Sequence, residues 1–136
     1  KDVGNEEIIS EIKNFCNKSK NTRIFVKNLE INIFSSLLNV VDVMIGNSSS
    51  GIVESASFKL PVVNIGSRQT GKLIPINVIN SENKYNKISK SVSIALSENF
   101  KKKISKMKNP YFLEHDFHIG KLVKKLVQEK NFVVKN

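Results

Sequence analysis

The chain has no tryptophan, three prolines and a single cysteine in 136 residues. One cysteine, Cys16, cannot build a disulfide framework, which is consistent with a reducing compartment. It falls on the apolar stripe Ile8, Ile12, Phe15, Cys16, so a buried structural thiol is expected rather than a reactive one. No apolar run approaches the length of a membrane span, and the first residues lack a signal-peptide core. A cytoplasmic protein without a membrane partner is the expectation. There is no internal repeat, low-complexity tract or linker. With 40% hydrophobic and 25% charged residues, both ordinary, the length allows one domain.

Basic residues are concentrated towards the end of the chain. The net charge is +10, but residues 1–83 hold nine basic and eight acidic groups, whereas residues 84–136 hold thirteen lysines against four acids. The surplus falls on helices whose other faces are apolar, and no aromatic residues interleave with the lysines as a stacking platform requires. A solvated lysine face is the simpler reading, and a nucleic-acid-binding module is the distant alternative.

Apolar periodicity alternates between strand and helix. Asn5 can cap a helix over Glu6–Asn17, with Glu6 and Glu7 well placed in its first turn. Arg23–Lys27 reads as a short strand, and Asn32 can cap a helix through Asn39 with Phe34, Leu37 and Leu38 inward. Strands are expected at Val40–Ile45 and Val62–Ile65, a helix at Gly51–Phe58 and a short edge strand at Val78–Ile79. Helices follow over Lys84–Leu96, from a Ser97 cap to Lys106, and around Ile119, Leu122, Val123, Leu126 and Val127. Strands separated by helices predict an α/β fold: a Rossmann-like open parallel sheet with helices on both faces.

The informative stretch is Ile45-Gly46-Asn47-Ser48-Ser49-Ser50-Gly51-Ile52-Val53-Glu54. A strand, a tight polar loop and a helix start, in that order, make an anion site from free backbone N–H groups and a helix dipole. Small side chains let a phosphate approach, and serines add hydroxyl donors. Serine as a simple helix cap is the competing reading. A second strand, Pro61-Val62-Val63-Asn64-Ile65, ends in the loop Gly66-Ser67-Arg68-Gln69-Thr70-Gly71-Lys72. Successive parallel strands present such loops at one sheet edge, where Arg68 can engage the same phosphates. Glu54 is placed to accept hydrogen bonds from ribose hydroxyls, or else merely to complement the helix dipole.

These strings, with Asn77-Val78-Ile79 and the weaker echoes Asp2-Val3-Gly4 and Asn109-Pro110-Tyr111, resemble the UDP-N-acetylglucosamine 2-epimerases, in particular the hydrolysing, sialic-acid-pathway type. The resemblance spans nearly the whole chain and is strongest from Phe34 to Ile79. It implies the second domain of a two-domain GT-B arrangement, incomplete at its N-terminal edge, whose partner is a missing N-terminal domain. It implies a UDP-sugar substrate held by Leu29 near the base, Ser48 and Ser49 at the diphosphate with Ser50 and Gly51 beside them, Glu54 at the ribose, and Arg68 in the second loop, where Gln69 either binds as well or, like Gly71, only shapes the loop. No cofactor, no metal and no catalytic residue within this chain are expected, so the chain alone should be inactive. The resemblance leaves open association into a homo-oligomer, the identity of the base, and whether water or UDP is re-added.

Two departures stand out. Lys72 replaces an arginine usual in the second loop, keeping charge but not bidentate geometry. Phe112 to His118 replaces a glycine-rich turn; its His115 and His118, with no further ligand cluster, are a weak metal signal. The rival function of the same class is the donor-binding domain of a GT-B glycosyltransferase. A serine hydrolase using Ser48, Asp116 and His118 is a distant alternative, because Gly46-Asn47-Ser48-Ser49-Ser50 lacks the closing glycine of a nucleophile elbow.

Overall fold

The computed structural model describes residues 5–19 and 22–112, and the chain divides into two compact units, residues 1–37 and 38–136. In the first unit, helix α1 (Asn5–Asn17) forms as its pattern predicts, with Glu6 and Glu7 in the first turn. Its apolar stripe, however, lies open: Ile8 is 61% and Phe15 56% exposed. None of the described residues 6–37 is buried, and Cys16 is only half-buried, so the expected buried thiol is corrected. A unit this small cannot enclose a core of its own. The expected strand Arg23–Lys27 is not formed either. Its side chains turn onto α1 instead. Arg23 stacks 3.9 Å from the Phe15 ring centroid and donates to the Phe15 carbonyl at 3.0 Å, and Lys13 lies 5.6 Å from the Phe25 ring centroid. Helix α2 (Ile31–Val40) begins slightly ahead of the Asn32 cap and continues to Val40, one residue past the expected end.

The second unit is built on three parallel strands in the order β1-β2-β3. They are β1 (Met44–Gly46), β2 (Val62–Ile65) and β3 (Val78–Ser81). Met44 is opposite Val62 and Gly46 opposite Asn64, while Asn64 is in turn opposite Asn80. Because α2 runs through Val40, the first strand starts at Met44 rather than Val40. The central β2 is buried at Val62, Val63 and Asn64, on both faces, which is why it reads as a continuous apolar run broken by one asparagine. Helix α3 (Tyr85–Ala95) packs on β2 and β3, and α4 (Glu98–Ile104) packs on α3. The Ser97 cap is present, accepting from the Phe100 N–H at 3.3 Å, and Lys101–Lys103 sit in the last turn of α4, where the dipole favours cations. Ile52, Ala56, Leu60, Val62, Val63, Ala95 and Ile104 form the core. The architecture is α/β, a Rossmann-like parallel sheet with helices. The expected helix around Ile119–Val127, and Asp116, His115 and His118, lie outside the described residues.

The expected helix Gly51–Phe58 is corrected. Ser49–Gly51 is a single 3₁₀ turn, and turns without a regular ladder follow to Lys59. Hydrogen bonds of three spacings are mixed along it: Ile52 N–H to Ser49 O, Glu54 N–H to Ser50 O, and Ser55 N–H also to Ser50 O at 3.1 Å. Serines explain the irregularity, since their hydroxyls compete for backbone groups. Ser55 Oγ donates to the Gly51 carbonyl at 2.8 Å. Buried Asn77 then donates to both Ser55 Oγ (2.9 Å) and the Leu60 carbonyl (2.7 Å), tying the segment to the start of β3.

Candidate functional site

Parallel strands carry their following loops to one edge, and both polar loops meet there. A cavity of about 520 Å³ is lined by Gly46 and Asn47 after β1, Ile65 to Arg68 at the end of β2, and Asn83 beyond β3. A second, of about 380 Å³, shares Gly66 and Ser67 and adds Asn64, Gln69, Thr70, Gly71, Ile74 and Asn80. Its floor holds two carboxamides in register, with Asn64 Nδ2 donating to Asn80 Oδ1 at 2.8 Å. Gly66 has φ +77°, a left-handed conformation that glycine adopts without strain, and it turns the chain from β2 into the arginine loop.

Ser48 occupies the cap position of the 3₁₀ turn, and its Oγ accepts from the Ser50 N–H at 3.3 Å. The capping role is therefore real. The Ser48 and Ser49 N–H groups donate to no acceptor among the described residues. Ser48 and Ser49 are exposed and Ser50 half-buried, while Gly51 is buried under the turn. A Cβ on Gly51 would stand 3.2 Å from Val62 Cγ1, so glycine here lets the turn lie directly on β2. Arg68 is exposed, lines the larger cavity and has no ion-pair or hydrogen-bond partner among the described residues. Glu54 is likewise exposed and unpaired among the described residues, but it does not line that cavity. Gln69 is 3% exposed, and its Nε2 donates to the Asn47 carbonyl at 2.7 Å. That bond stitches the second loop to the first. Leu29 belongs to the first unit and is exposed there.

Asn47, Arg68, Gln69 and the serine turn are thus assembled at one edge. The asparagines Asn64, Asn80 and Asn83 were not singled out from sequence; their positions in or just after β2 and β3, two of them paired in register, were the available signal. No group of three or more His, Cys, Asp or Glu able to hold a metal occurs among the described residues. No helix among them is long and apolar enough to cross a membrane.

The family model for UDP-N-acetylglucosamine 2-epimerase matches residues 1–116. The GDP/UDP-N,N'-diacetylbacillosamine 2-epimerase (hydrolyzing) of Campylobacter jejuni is 46% identical over 76 residues, 55% of this chain and 20% of that protein. The UDP-N,N'-diacetylbacillosamine 2-epimerase (hydrolyzing) of Legionella pneumophila is 45% identical over 73 residues, 54% of this chain and 19% of that protein. The polysialic acid biosynthesis protein P7 of Escherichia coli is 29% identical over 131 residues, 96% of this chain. The chain spans at most a third of the length of these relatives, the E. coli protein being covered to 33%. A match over 116 of 136 residues, which takes in both polar loops, places this chain in the UDP-N-acetylglucosamine 2-epimerase family.

Proposed function

We propose that the chain is the UDP-binding half of an epimerase that converts UDP-N-acetylglucosamine to N-acetylmannosamine and UDP, or to UDP-N-acetylmannosamine. The observation that carries this reading is the meeting of Asn47 and Arg68 around one cavity at the C-terminal edge of the sheet. The family has the GT-B fold, in which such an edge faces a second domain. In the reaction, a base removes the proton from carbon 2 of the sugar while the carbon 1–oxygen bond breaks. UDP departs with that electron pair and leaves a glycal. A proton then adds to the opposite face of carbon 2, and water or UDP adds to carbon 1. Negative charge grows on the departing diphosphate, so donors aimed at it act where the transition state needs them.

Within that scheme this chain binds and polarises. The free N–H groups of the serine turn and the hydroxyls of Ser48, Ser49 and Ser50 meet the diphosphate, and Arg68 adds a bidentate cation. Glu54 takes the ribose hydroxyls. No side chain among them serves as the proton donor or acceptor at carbon 2; those groups lie outside this chain. A diacetamido sugar, as the names of two relatives carry, is the nearest competing substrate.

The test is an amide-resolved NMR titration of the chain with UDP, with GDP alongside because the name of one relative carries both nucleotides. Shifts concentrated at Ser48 to Glu54 and Arg68, with UDP preferred, are expected. Shifts elsewhere, or none in a folded sample, would overturn the nucleotide assignment. In the full-length protein, release of UDP and N-acetylmannosamine with no acceptor added separates the epimerase from a glycosyltransferase.

A further inference from the structure

We infer that Asn109 and Tyr111 are positioning residues that clamp the two phosphate-facing loops together from behind. The inference rests on the nucleotide-binding reading above and extends it to residues that touch neither cavity. The irregular segment after the serine turn leaves the Val53 carbonyl without a backbone donor, because the Ser57 N–H bonds to Glu54 instead. Asn109 fills that gap: its Nδ2 donates to the Val53 carbonyl at 3.1 Å and to Ser57 Oγ at 2.7 Å. Its Oδ1 accepts from the Tyr111 N–H at 2.9 Å, fixing the turn around Pro110. The Tyr111 hydroxyl then donates to the Leu73 carbonyl at 2.5 Å, just beyond the arginine loop. One three-residue turn therefore holds the base of both loops, while Gln69 joins their tips through Asn47.

Each loop alone is short and irregular, and a diphosphate must be met by donors from both. Holding the loops at a fixed spacing before the ligand arrives lowers the ordering cost of binding. The two contacts are also separable. Tyr111→Phe removes only the bond to Leu73 and should loosen residues 66–73. Asn109→Asp keeps the acceptor for Tyr111 but loses both donors, and should loosen residues 49–57 while 66–73 stay held.

Amide hydrogen exchange and nucleotide titration on both variants decide the matter, with Tyr85→Phe, an exposed tyrosine of α3, as control. Faster exchange in the stated loops is expected, with protection of α3 unchanged. UDP affinity should fall by about five- to tenfold, the weight of one or two neutral hydrogen bonds, while the weaker affinity for uridine, which has no diphosphate, holds. Unchanged loop exchange in a folded variant would overturn the inference. So would an equal loss for UDP and uridine, or exchange that rises uniformly through α3, since those mark general destabilisation. If the unsubstituted chain bound no UDP while the loops still loosened as described, the nucleotide reading would fail and the clamp would stand.

Discussion

Gly51→Ala is the sharpest test of how the serine turn is seated. The new methyl would meet Val62 Cγ1 at 3.2 Å and Met44 Sδ at 3.7 Å. Met44 can turn away, but Val62 is β-branched, 1% exposed and fixed in the central strand, so it cannot change rotamer freely. Overpacking of this kind costs about 1–3 kcal/mol, offset by about 0.4–1 kcal/mol from a stiffer unfolded chain. The net expectation is a loss of about 0.5–2 kcal/mol, or a fall of some 0.3–1 M in the urea midpoint at unchanged slope. Val62→Ala, in the same assay, removes the atom in conflict and costs about 2 kcal/mol by itself. Combining the two should cost less than the sum by about 1 kcal/mol, since the methyl at 51 then has room. Additivity, or a Gly51→Ala variant as stable as the parent, would refute the claim that glycine serves close approach to β2.

Three other outcomes follow from the same contacts. Asn77→Ala strips donors from Ser55 Oγ and the Leu60 carbonyl at a site 0% exposed, and should destabilise by about 2–4 kcal/mol in chemical denaturation; a loss below 1 kcal/mol would mean the segment rearranges to recover its bonds. Arg68→Ala should weaken UDP binding by tenfold or more by calorimetry, and Arg68→Lys should recover only part of that, because the ammonium lacks the planar fork; equal affinity of the lysine variant would reduce Arg68 to a point charge. Ser97→Ala removes the cap on α4 and should cost about 1 kcal/mol, read by denaturation, with no change in UDP affinity.

The parts that were legible in the sequence are those where local chemistry and burial agree. Val62–Ile65 is buried through most of its length, so its composition alone identified it as a strand with the observed bounds. α3 and α4 carry clean periodicity and a serine cap between them, and their ends fell within two residues of expectation. The expected strand at Arg23 failed because strand propensity is realised only through a ladder partner, and the residues found aromatic and carbonyl contacts on α1 instead. The helix after Gly51 failed because serines at 55 and 57 offer the backbone other partners, a competition that periodicity does not register. The loop residues of the site were legible as types in a pattern. What was not legible was which of them would be buried: Gln69 reads in the loop string as a ligand contact or as a residue that only shapes the loop, and in the fold it is buried with its Nε2 on the Asn47 carbonyl.

That last distinction shows how the site is stabilised. On the nucleotide-binding reading proposed above, the loops must leave N–H groups and a guanidinium unpaired for a phosphate, so they cannot be held by those groups. Stability has to come from the other side. Here amides do it: Gln69 holds the Asn47 carbonyl, Asn77 holds Ser55 and Leu60, and Asn109 holds Val53 and Ser57. Each is a neutral side chain reaching a carbonyl or hydroxyl that the irregular backbone leaves free, so none competes electrostatically with an incoming anion. Lysines or arginines in these positions would add charge behind the loop and blur the position proposed for the anion. The richness in asparagine near the two loops, which looks in the sequence like a compositional habit, is in the fold the means by which an irregular, donor-rich edge stays in place.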